Sequence, residues 1–186
     1  MKVKDIIVNA LKLVGREDVA STLTTGGTPV GEAAEAVETL TYCFNAVEDE
    51  LARFYFPLKN EETFTSYSGQ YPYKIFSYRP VRILNVQSCG ADTAYEVFPE
   101  YLKSAASPIT VKYEYSPPAK KLSGESAYDG CIVGERLVAY GAASEYCLIN
   151  GEVQMANLFE SKYREEIDRA RQKCAADSRI PPRRWV

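Results

Sequence analysis

Ile109-Thr110-Val111-Lys112-Tyr113-Glu114-Tyr115-Ser116-Pro117-Pro118 is the stretch whose reading decides the fold. Ile109, Val111, Tyr113 and Tyr115 alternate with Thr110, Lys112 and Glu114, the two-residue period of a strand with one buried face, and the proline pair stops it. Around this strand, from about residue 56 to 126, prolines, serines and tyrosines rise and helical periodicity is lost. Residues 81–86 and 95–98 read as weaker strands flanking a hairpin turn at Cys89-Gly90-Ala91-Asp92, and residues 63–65 and 74–76 as short edges.

On both sides of this β-rich block the apolar period lengthens to that of a helix. Val3, Ile6, Ile7, Ala10, Leu11 and Val14 share one face before Gly15. The small, polar run from Ser21 to Gly27 leads to Thr28-Pro29, which reads as an N-cap with proline at the first helical position. The helix expected there runs through Ala33, Ala36, Val37, Leu40, Phe44, Val47 and Leu51 and is closed by Pro57. After the β block a third helical pattern is expected from Asp129 to Asn150-Gly151, a C-cap and turn that hands over at once to a fourth. In the fourth, Met155, Phe159, Tyr163, Ile167, Ala170 and Cys174 form the apolar stripe. Glu160/Arg164, Glu165/Arg169 and Asp168/Gln172 lie on its flanks. The expected fold class is α+β: an antiparallel body of about four helices from residues 1–55 and 127–177, a β-rich insertion at 56–126, and an extended segment at 178–186.

That last segment contains Arg179-Ile180-Pro181-Pro182-Arg183-Arg184-Trp185-Val186. The proline pair ends the helix because neither residue donates a backbone hydrogen bond. Trp and Arg are the residue types enriched at binding hot spots, so these eight residues are the candidate partner-binding arm. The competing reading is an ordinary solvated chain end.

Composition narrows the function classes. With 22 Lys and Arg against 25 Asp and Glu, the net charge of −3 argues against a surface built to neutralise phosphates without regard to sequence. No 18-residue apolar run and no signal-peptide pattern is present, so a cytoplasmic chain is expected. Histidine is absent, which removes Ser-His-Asp and Cys-His systems and most zinc sites. Cys43, Cys89, Cys131, Cys147 and Cys174 are odd in number and widely spaced, and read as reduced thiols. No catalytic residue, cofactor site or metal site is assigned: Gly130-Cys131-Ile132-Val133-Gly134 lacks the Lys-Ser/Thr of a phosphate loop.

Four stretches together resemble the head-to-tail adaptor (head-completion, connector) proteins of tailed bacteriophages. They are Asp5-Ile6-Ile7-Val8-Asn9-Ala10-Leu11-Lys12-Leu13-Val14-Gly15; Ala33-Ala34-Glu35-Ala36-Val37-Glu38-Thr39-Leu40 on to Phe44-Asn45; Glu48-Asp49-Glu50-Leu51-Ala52-Arg53; and Tyr163-Arg164-Glu165-Glu166-Ile167-Asp168-Arg169-Ala170-Arg171 with the exit Asp177-Ser178-Arg179. The resemblance implies a helical-bundle body, a homo-oligomeric ring of usually twelve copies under the portal protein, and a C-terminal segment docked on that portal. Arg179 to Val186 matches the docking segment. It further implies a structural protein of the virion neck, assembled in the host cytoplasm and bonded to a downstream neck or tail protein. DNA would pass through the lumen without being specifically recognised, and no membrane would be involved. The acidic balance of the chain suits such passage, since like charge discourages phosphates from sticking.

Other readings stay open beside it: a stopper or tail terminator, a host-side interaction module, or a hydrolase working with carboxylates alone through Glu48, Asp49 or Glu62. Tyr67, Tyr71, Tyr73 and Tyr78, interleaved with Lys74 and Arg79, have the composition of a base-stacking platform, although such tyrosines more often pack strands and loops. Glu48-Asp49-Glu50 with Glu61-Glu62 could suggest a cation site. Adjacent helical positions point in different directions, however, and a solvated acidic face is the expectation.

Overall fold

The computed structural model describes residues 1–66 and 68–177. Within them the chain is mixed α+β, with five α-helices and two antiparallel sheets. It divides into two compact units, one holding Met1–Glu48 and the described residues from Ala119 on, the other Asp49–Pro118.

In the first unit α1 (Val3–Leu13) buries Val3, Ile6, Ile7, Ala10 and Leu11, the face read from its period. A second helix follows that the sequence reading did not foresee, α2 (Glu17–Thr24), burying Val19, Ala20 and Leu23. Its Ser and Thr residues satisfy themselves within the helix: Ser21, Thr22, Thr24 and Thr25 each donate a hydroxyl to a carbonyl three or four residues back. The next helix, α3 (Glu32–Glu50), begins after Gly31 rather than at Thr28-Pro29, so that pair is not its cap. The Gly31 carbonyl accepts from Ala34 and Glu35, and Gly31 itself has φ +59°, the left-handed backbone that glycine adopts without cost. A π-helical turn, Leu51–Tyr55, continues the chain to Pro57.

The third expected helix also starts later, at Glu135, giving α4 (Glu135–Ile149). Asp129 does not open it. Its carboxylate accepts the Cys131 N–H at 2.8 Å in a local turn, which holds the carboxyl below its usual range. α4 is followed within a few residues by α5 (Val153–Asp177), and the two pack on each other; α4 also packs on α1, and α1 on α2. The stripe of α5 begins at Ala156, not Met155. Ala156, Phe159, Tyr163, Ile167 and Ala170 are buried while Met155 is 39% exposed.

In the second unit the strand read as decisive is central. β7 (Ile109–Tyr115) lies between β1 (Leu58–Phe64) and β3 (Pro80–Ser88), and β3 carries a two-residue β4 (Ala91–Asp92) at its far edge. β1 reads longer than its expected 63–65. The hairpin turn is Cys89-Gly90, with φ +52° and +81°, the pairing of left-handed residues that matches strand twist. A second sheet orders β2 (Gln70–Pro72), β6 (Tyr101–Lys103) and β5 (Glu96–Val97). Residues 95–98 therefore do not pair with β3 as a hairpin, and the expected edge at 74–76 is a 3-10 turn, Tyr73–Ile75. Phe64, Tyr71, Phe76, Val86, Leu102, Ile109, Val111 and Tyr113 form the unit's core.

Candidate interaction site

The partner-binding arm read from the sequence, Arg179 to Val186, lies outside the described residues, as does Tyr67. What the structure does place is the helix that carries it. α5 spans 25 residues, about 37 Å at 1.5 Å per residue. Its buried stripe holds one side while ion pairs order the other: Arg164 to Glu160 at 2.7 Å, Lys162 to Glu165 at 3.1 Å and Arg169 to Glu166 at 2.7 Å. Each such exposed pair adds only a few tenths of a kcal/mol. Arg136 of α4 donates to the Tyr140 hydroxyl at 2.9 Å and faces Glu166 at 3.8 Å; the hydroxyl contact first and the carboxylate after it raise the pKa of the guanidinium.

At the turn between α4 and α5 and over the first two turns of α5, Leu148, Ile149, Val153, Met155 and Leu158 are all exposed. Five large apolar side chains around one short connection exceed the scattered singles of an ordinary surface. A second apolar surface runs along α3. There Ala34, Val37, Thr41 and Tyr42 line a groove of about 470 Å³ with Lys121 and Leu122. Its far wall is tied down by Asn45, whose amide donates to the Lys120 carbonyl at 3.0 Å and whose carbonyl accepts the Lys120 N–H at 2.6 Å. One side chain thus satisfies both backbone groups of an otherwise irregular segment.

No family model matches the chain. No curated protein matches it either.

The carboxylates named as catalytic alternatives are each engaged by their own neighbours. Glu48 is 1% exposed, which corrects its reading as part of a solvated face. Its carboxylate accepts the Ser126 hydroxyl and the Ala127 N–H, both at 2.7 Å. Asp49 pairs with Arg53 at 2.8 Å and accepts the Ser116 hydroxyl. Glu62 accepts from the Tyr113 hydroxyl, from Asn60 at 2.6 Å, and from the Ser77 N–H and hydroxyl at 3.2 and 3.1 Å. Burial first, and then the hydrogen bond to Glu62, pushes the Tyr113 phenol up to about 12. Among the described residues no group of acidic side chains and cysteines is arranged to hold a metal ion.

The described tyrosines of that set, Tyr71, Tyr73 and Tyr78, are engaged within the protein itself. Tyr71 is fully buried with its hydroxyl on the Ala106 carbonyl at 2.7 Å, Tyr73 donates to Phe98 at 2.9 Å, and Tyr78 is stacked on Tyr115 with centroids 4.2 Å apart. Of the surfaces above, the exposed α4–α5 turn was missed in the sequence, although Leu148, Ile149 and Val153 crowd around Asn150-Gly151 there. No helix among the described residues is long and apolar enough to cross a membrane.

Proposed function

We propose that this chain is a structural neck protein of a tailed bacteriophage, a head-to-tail adaptor. It forms a homo-oligomeric ring, twelve copies by resemblance, between the portal protein and a downstream neck or tail protein. The observation that carries the reading is where the resembling stretches fall: on α1, on α3 with the π-helical turn after it, and on α5 leading into Arg179–Val186. A ring requires two different faces on each copy, because neighbours meet head to tail around a closing rotation. The exposed apolar turn between α4 and α5 and the groove along α3 are two unlike surfaces of the kind such a contact uses.

The test is negative-stain imaging of the protein mixed with its virus's purified portal ring, comparing the full chain with one ending at Ser178. A symmetric added layer formed only by the full chain is expected. No layer with either chain would overturn the portal-adaptor reading and leave a more distal stopper, a tail terminator or a host-side module in its place.

A further inference from the structure

β1 is an edge strand. It pairs with β7 on one side, and no backbone hydrogen bond from the described residues reaches its other side. Seven residues of open ladder are a template for another strand, which natural proteins ordinarily blunt. Here the solvent face of β1 carries Lys59, Glu61 and Thr63, all exposed.

These side chains continue polar rows that cross the sheet. Lys59 stands opposite Glu114, which stands opposite Arg82; Glu61 stands opposite Lys112, which stands opposite Asn85. In the first row the charge alternates plus, minus, plus from the edge inward. In the second it runs minus, plus, neutral. Unlike charges opposite one another favour pairing and like charges oppose it. A strand added outside β1 that preserves the alternation must therefore present an acid to Lys59 and a base to Glu61.

β1 itself meets that requirement when turned antiparallel about Asn60. The two-fold then sets Lys59 of one copy against Glu61 of the other, and the same pair recurs on the far side of the axis. Centring on Glu61 or on Lys59 would instead oppose a residue to its own kind, and a parallel in-register pairing would stack like on like. The signs that match Glu114 and Lys112 of β7 within the sheet thus also match β1 to a second copy of itself about Asn60.

We propose that β1 is the seam of a two-fold pair of this chain, in which the four-stranded sheets of two copies join edge to edge through antiparallel β1 strands centred on Asn60. The pairing is isologous, so it is distinct from the head-to-tail contact of a ring and does not rest on the adaptor reading.

The test uses two full-length variants that segregate the charge, Lys59→Glu and Glu61→Lys, in analytical ultracentrifugation over a range of concentrations. The natural chain should show a species of twice the monomer mass. Each variant alone places two like-charge pairs at the seam and should weaken pairing about tenfold. An equimolar mixture of the two restores both unlike pairs and should recover pairing close to the natural level. Circular dichroism matching the natural chain shows that each variant is folded. In hydrogen exchange of the natural chain, backbone amides of residues 58–64 should slow as concentration rises. A natural chain with no two-fold species, variants that each pair as well as the natural chain, or a mixture no better than its parts would overturn the proposal.

Discussion

Glu48 shows how far one residue's environment departs from what its neighbours in sequence suggest. In a run of three acids it reads as solvated, yet it lies four residues after Phe44 and three before Leu51, both fully buried, and so on the apolar stripe of its helix. The run of charge hid that spacing. The structure meets the charge with two short donors, the Ser126 hydroxyl and the Ala127 N–H, which anchor the segment entering α4. Glu48→Ala removes the oxygen that accepts both donors and leaves the half-buried Ala127 N–H without it, and should cost about 1–3 kcal/mol. Both bonds end on one oxygen, Oε1, so the carbonyl oxygen of Glu48→Gln can keep both, and that variant should cost well under half as much. Urea unfolding of the two variants checks this: equal, negligible losses would mean that the buried carboxylate contributes no net stabilisation. Cys43 is legible by the same periodic reading, and burial first, with Glu145 adding to it, pushes its thiol up to about 12.

At the scale of elements, the long periodic patterns of α1, α3 and α5 and the alternation of β7 were readable because each repeats one spacing several times over. The misses have local causes. α2 is eight residues rich in Ser and Thr, whose hydroxyls fold back onto helix carbonyls instead of marking a loop. Thr28-Pro29 and Asp129 are good starts by type, but the glycines just after them, Gly31 and Gly130 at positive φ, hold the backbone away from helix until later. Packing between helices depends on something the period alone does not show. A Cβ on Gly141 of α4 would lie 2.8 Å from Val47 Cγ1 and 3.0 Å from Tyr163 Cε2, so this glycine lets α3 and α5 approach α4 at one point. Alanine is the better helix former by up to about 1 kcal/mol. Overpacking of a filled core costs about 1–3 kcal/mol. Gly141→Ala should therefore lower the melting temperature, whereas a rise would show that Val47 and Tyr163 can give way without strain.

For the whole molecule, the β-rich block was recognisable between two helical halves, while the candidate site was legible only as an arm that lies outside the described residues. The exposed α4–α5 turn and the open edge of β1 arise from which neighbours each element finds, and periodicity carries no record of that. The division into units has a thermodynamic consequence. The core of residues 49–118 is built from its own members around Tyr71, Val111 and Tyr113, and Cys43 and Cys147 are buried in the other unit. Both thiols are reporters of opening there, since burial pushes them up to about 12 and about 11. Their raised pKa values add stability that is complete below the ordinary thiol value of 9.0 and drains as pH climbs from there toward 11–12. Thiol labelling at about pH 8 therefore reads opening without driving it. Val111→Ala, at a fully buried site in the sheet, should cost about 2 kcal/mol. The urea midpoint followed by tyrosine absorbance should fall, while the midpoint for labelling Cys43 and Cys147 stays where it was. If both midpoints fall together, the two cores unfold as one cooperative unit and damage in either is felt by both.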